Sequence, residues 1–207
     1  MIEGVRIYLE GGGDHRDSRA ALRRGFGEFL KSLREKARRR GIRWDIIACG
    51  SRRFAYDAFC NAVRSNRSSY CILLVDSESS VSHTPWQHLQ KRDNWLSQEI
   101  SDEHCHLMVQ TMETWLIADR QALEKFYGRD FNGNRIPATE NIESVEKETL
   151  EEALKEATRR TQKGEYHKIR HGPRILEMLD SALVCEKARH CSRLFDTVNR
   201  VLDGEPV

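Results

Sequence analysis

The 207-residue sequence predicts an α/β fold: a mainly parallel sheet flanked by helices, with a helical C-terminal extension. Three observations carry this. Short apolar runs alternate with longer stretches of helical period. The run "CILLV" (71–75) is continuously apolar, as in a strand covered on both faces. Beyond residue 128 only helical patterns recur, so the expected division is an α/β core over 1–128 and a mainly helical extension over 129–207, packed on the core as one unit.

Each element follows from its own residues. "VRIYLE" (5–10) reads as a first strand that ends in the backbone-permissive turn "GGGD". Leu22, Phe26, Phe29, Leu33 and Ala37 recur at helical spacing, which predicts one long helix stopped at Gly41. "RWDIIACG" (43–50) is a second strand. Residues 53–65 are helical, with Phe54, Ala58 and Ala62 on one face. "CILLV" is the third strand. Residues 79–104 lack a clear period and read as a long connection outside the sheet, of the length usually reserved for function or disorder. "CHLMV" (105–109) is a fourth strand, and "METWLIADRQALEKFYG" (112–128) a helix closed by Gly128. A strongly charged helix follows at 146–161, then a helical region through Ile175, Leu176, Leu179, Ala188, Leu194, Val198 and Leu202.

Composition narrows the class. Hydrophobic residues are 39% and charged residues 32%, which suits a globular chain rather than a disordered one. A formal net charge of +2 is too small to draw the whole molecule onto nucleic acid, so any basic surface is local. No apolar run approaches the roughly 20 residues that span a bilayer. The N-terminus carries acid where a signal peptide would be basic, so a cytoplasmic location is expected. Six cysteines without a CxxC pair read as reduced structural thiols.

The chemistry is expected where strands end. Ligands of open α/β sheets bind beyond the carboxyl ends of the strands. Glu10 ends the first strand, Asp76 and Glu78 follow the third, and Glu113 follows the fourth. Two residues apart on an extended segment, Asp76 and Glu78 would point the same way, with Ser77 turned aside. Acids gathered so closely raise one another's pKa unless a cation neutralises them. Oxygen ligands without histidine or cysteine favour Mg²⁺ or Mn²⁺, and such a site suits phosphodiester cleavage. Taken singly, an acid after a buried strand is an ordinary solvated turn residue, and Glu113 suits the first turn of a helix. The combination carries the inference. Arg52 and Arg53, at the end of the second strand, are candidate phosphate ligands; the plain alternative for both is a solvated surface. "REKARRR" (34–40) reads as a solvated helix face. His104 and His106 lack a second ligand pair at zinc spacing, and Trp86, Trp95, Trp115, Phe126 and Tyr127 read as packing.

"YLEGGGD" followed by "LLVDSES" resembles the Toprim domain, a metal-binding α/β fold of topoisomerases, primases and certain nucleases. On that resemblance Glu10 matches the glutamate that serves as acid or base. Asp76 and Glu78 match the DxD ligands, with glutamate in the second position here. "HLMVQTMETWLIADR", the Trp86–Trp95 segment, "GEYHKIRHG" and "HCSRLF" extend the resemblance over the whole chain, to an uncharacterised bacterial Toprim-like family, domain-of-unknown-function family 4276. Glu113–Trp115 resembles a Glu-x-Trp motif of related defence nucleases. The resemblance implies a Mg²⁺-dependent nuclease acting on DNA or RNA, in which Lys168 and His171 lie near the acids and Lys168 contacts phosphate. It also implies an ATPase partner and a role in anti-phage defence; 79–104 and 146–161, charged and outside the predicted sheet, are the candidate docking surfaces. The alternative is a non-catalytic subunit that docks on and regulates such an ATPase.

Overall fold

Alternation of side chains along the strands decides the architecture. The computed structural model describes residues 2–65, 68–97 and 99–206; Gln98, inside the expected 79–104 connection, is among the five positions outside the described residues. Strands Gly4–Leu9 (β1), Arg43–Ala48 (β2), Ser69–Asp76 (β3) and Cys105–Met108 (β4) form one four-stranded sheet in the order β2-β1-β3-β4. Every pairing is parallel, with Leu9 opposite Leu74 and Ala48, and Asp76 opposite Met108. Ile7, Leu9, Ile72 and Leu74 join an apolar cluster on one face, while Tyr8, Cys71, Leu73 and Val75 join a second cluster on the other. The period of two thus feeds two cores, which is why β3 is continuously apolar from Cys71 to Val75.

Helices cover both faces. Arg52–Ser65 (α3) and Pro85–Asp93 (α4) supply Phe59, Trp86 and Leu89 to the smaller cluster. Arg16–Phe29 (α1) and Lys31–Arg39 (α2) begin the larger one. Met112–Leu116 (α5), Arg120–Tyr127 (α6), Lys147–Thr158 (α7), Lys168–Leu176 (α8), Ser181–Lys187 (α9) and Arg189–Asp203 (α10) complete it. Trp115 shows how the parts interlock. Its ring stacks on Phe29 at 5.1 Å and meets Phe26 edge-on at 6.2 Å, and Phe29 in turn meets Phe195 of α10 at 5.9 Å. Arg193 of α10 donates to the carbonyls of Asp102 (2.6 Å) and Cys105 (2.9 Å), which covers the outer edge of β4. Among the described residues no helix is long and apolar enough to cross a membrane.

Four expectations need correction. The long helix breaks at Leu30, yet Leu30 N–H still bonds Phe26 O at 2.9 Å, and the apolar spacing of Phe26, Phe29 and Leu33 runs on through the break. The helix at 112–128 is two, because Asp119 accepts the Ala122 N–H at 3.0 Å and starts α6 afresh. On α3 the buried face is Ala55, Tyr56, Phe59 and Ala62, and Phe54 is 65% exposed. The 79–104 segment is no bare loop: Pro85 opens α4, Gln87 accepts from the Thr84 N–H at 3.4 Å, and Trp86, Leu89 and Trp95 are buried against the sheet.

Candidate metal centre

Parallel strands put their carboxyl ends on one edge, and there the acids meet. Glu10 leaves β1 with its N–H on the Leu74 carbonyl at 3.3 Å. The next residue, Gly11, exchanges backbone hydrogen bonds with Gly50 after β2 (2.8 and 3.1 Å). Gly50 has φ +81, and a Cβ there would stand 2.9 Å from the Gly13 carbonyl oxygen, so glycine alone lets the two strand ends close. Asp76 is the last residue of β3 and is only 4% exposed. Its Oδ1 accepts the Met112 N–H at the start of α5 (2.8 Å). Glu78 arrives by a different route from the expected extended segment. Its φ is +65, and its N–H bonds the Gln110 carbonyl at 2.7 Å, so a left-handed turn aims it inward. One ligand atom from each of Glu10, Asp76 and Glu78 lies within 4.8 Å of the other two.

Each acid has a side-chain cation. Arg52, at the start of α3, donates to Glu10 Oε2 at 2.8 Å and to the Asp76 carbonyl, and holds Asp93 of α4 at 3.0 and 2.7 Å. Lys147, at the start of α7, pairs with Glu78. Lys168, at the start of α8, stands 3.2 Å from Asp76 Oδ2 and 3.1 Å from Glu113 Oε2. Glu113 itself is buried on α5, where Tyr166 donates to its Oε1 at 3.0 Å. Glu113 therefore stands outside the Glu10–Asp76–Glu78 triangle and reaches it through Lys168, rather than completing it as expected.

Burial sets the protonation of the centre. It pushes the Asp76 carboxyl up to about 7, Lys168 pulls against it, and the neighbouring charges of Glu113 and Glu10 add to the rise. At Glu78 burial also pushes upward, but the hydrogen bond and charge of Lys147 outweigh it and the net shift is down. Burial alone would lower the Lys168 pKa; Asp76 and Glu113 reverse that and raise it. A strongly buried carboxyl that prefers its proton near neutral pH, beside two further acids, is a donor set in which a cation can take the place of that proton. All the nearest ligand atoms are hard oxygens, which fits Mg²⁺ or Mn²⁺.

A family model described as a domain of unknown function, DUF4276, matches residues 9–199. The chain belongs to the DUF4276 family. The matched span holds every residue of the centre, from Glu10 to Lys168. No curated protein and no solved structure matches the chain.

Two expected phosphate ligands of this DUF4276 chain lie elsewhere. Arg53 points away on α3, exposed and bonded to Asp57 at 3.0 Å, because the residue after Arg52 faces another side of the helix. His171 is buried among Phe126, Tyr127 and Tyr166. Its Nδ1 accepts from Tyr127 Oη (3.0 Å) and the His167 N–H (3.2 Å), and burial lowers its pKa, so it is a neutral packing residue. Lys147 was missed, since nothing local marks a lysine 69 residues from its partner. Its placement depends on Gln110, whose side chain accepts the Lys147 N–H (3.2 Å) and donates to Glu146 (3.3 Å). The six cysteines are free thiols. His104 and His106 bond the carbonyls of Cys71 (2.7 Å) and Glu103 (3.0 Å).

Proposed function

We propose that this chain is a Mg²⁺- or Mn²⁺-dependent nuclease of Toprim type. The observation that carries the reading is the meeting of Glu10, Asp76 and Glu78 at the carboxyl edge of the sheet. Those three would hold the ion, which would supply positive charge to the phosphate oxygens as a phosphodiester is cut. Glu10, partly open to solvent, is placed to accept the proton of an attacking water. Lys168, half exposed between Asp76 and Glu113, can turn its ammonium to a phosphate oxygen, and Arg52, held by Glu10 and Asp93, adds a fixed positive charge. Glu113 and Tyr166 position Lys168 and do not themselves touch the triangle. Control by an ATPase partner, in a defence role, rests on the sequence resemblance alone.

A second reading has one observation in its favour. Glu10 and Glu78 each already hold a side-chain cation, an arrangement a non-catalytic docking subunit would also tolerate. The deciding experiment incubates purified protein with Mg²⁺ or Mn²⁺ and mixed DNA and RNA, beside Glu10→Ala. Metal-dependent cleavage lost in the variant is expected. Absence of cleavage by wild type on both polymers, with no metal bound in a titration, would leave the docking reading.

A further inference from the structure

Opening onto Glu10 and Asp76 is a cavity of about 240 Å³ whose inner wall is apolar. Its inner walls are Leu22 and Phe26 of α1, with Met108, Met112 and Pro173, all buried. Its rim is polar and more open: Glu10, the Gly11–Gly13 turn, Ser51, Arg52 and Lys168, with the 45%-exposed Ile169 across from Gly13. An apolar chamber so close to a charged centre needs an occupant with an apolar body and an anionic attachment. At this volume it falls below the roughly 300 Å³ lower bound usual for drug-sized ligands, so the buried part is small.

We propose that this cavity receives one unpaired nucleobase, so that the chain acts on single-stranded or flipped-out nucleic acid rather than on an intact duplex. A base is flat and has apolar faces, which suit methionine and phenylalanine walls. Its sugar-phosphate would leave by the rim, where Arg52 and Lys168 are the cations and the Gly11–Gly13 turn forms part of the opening. A base stacked within a duplex cannot enter such a chamber without unpairing first. The inference rests on the nuclease reading for its substrate class and shares Arg52 and Lys168 with it, but its base-binding wall of Leu22, Phe26, Met108, Met112 and Pro173 and its measurement are separate.

The test is fluorescence anisotropy with a short single-stranded oligonucleotide, chelator present so that metal-dependent cleavage is off. Intact strands are compared with strands in which one abasic sugar is moved along the length. An abasic sugar at one position should weaken binding by about ten-fold, the scale of one stacked base, with little effect elsewhere. Ile169→Ser, at an exposed position that spares the fold, should erase the difference, and so should Leu22→Phe, which fills the chamber. A duplex of the same sequence should bind more weakly than the single strand. Equal affinity for intact and abasic strands at every position, or no binding of either, overturns the pocket even if metal-dependent cleavage is found. A retained abasic effect without any metal-dependent cleavage sinks the nuclease reading and leaves the pocket standing.

Discussion

Asp76 is the residue on which the centre turns, because it is an acid held where its charge is poorly solvated. Its folded pKa, about 7, is above the ordinary 3.8, so the folded state binds the proton more tightly across that window. The stability this contributes is fully present below the unfolded pKa and is lost as pH rises through about 7. Asp76→Asn, always neutral, should therefore gain in melting temperature relative to wild type at pH 8 more than at pH 5. A constant difference across that range would contradict the burial account. The same residue decides metal binding. Millimolar-scale Mn²⁺ should raise the melting temperature of wild type through mass action on the folded state, increasingly as pH passes 7. An equal rise in Asp76→Asn would mean that the ion binds elsewhere. Lys147 gives the complementary test. Its pair with Glu78 is partly exposed and worth at most about 1 kcal/mol, so Lys147→Ala should barely move stability. It frees a carboxylate, however, and Mn²⁺ should bind several-fold tighter by titration; weaker binding would assign Lys147 a supporting role.

At the scale of elements, the centre depends on how α1, α5, α7 and α8 are brought to the strand ends. Gly25 lets α1 and α8 touch: a Cβ there would lie 2.6 Å from the Pro173 carbonyl oxygen. Gly25→Ala must push the helices apart, at a cost of about 1–3 kcal/mol, the usual penalty for overpacking. Because α8 carries Lys168 and the rim of the cavity, this variant should also lose activity beyond what its stability explains. Denaturant melts paired with cleavage rates check it, and a melt within about 0.5 kcal/mol of wild type would show that the contact is soft. The break at Leu30 and the restart at Asp119 belong to this scale too. A cap at Asp119 was readable from its residue type, a short acid that accepts helix N–H groups, although 112–128 reads as one helix by its period. The break at Leu30 was not, because its hydrogen bonding and its burial are those of a continuous helix.

For the whole molecule, the outward charge bears on partnership. The segment 79–104 is packed through Trp86 and Leu89, leaving Gln87, Gln90, Lys91 and Arg92 exposed. Helix α7 buries Leu150, Leu154 and Ala157 and presents Glu148, Glu151, Glu152 and Lys155. If an ATPase docks on these faces, the contact is polar and salt should weaken it. Size exclusion of the co-expressed pair should show one peak at low salt and two at high salt. Separate elution at low salt, with a fully active lone chain, removes the case for an ATPase-gated effector.

The sequence by itself determined the strands, their parallel sheet and the edge at which Glu10 and Asp76 emerge. Those follow from local periodicity and from the rule that parallel strands share a carboxyl end, and neither requires distant partners. Only the tertiary structure decided which side chains join them. Glu78 enters by a left-handed turn fixed by the Gln110 carbonyl, and Lys147 arrives from a helix docked through Gln110. Glu113 withdraws behind Lys168, and His171 turns into the aromatic core. These placements come from contacts between residues tens of positions apart, where side-chain direction depends on packing and burial and no local pattern encodes the outcome.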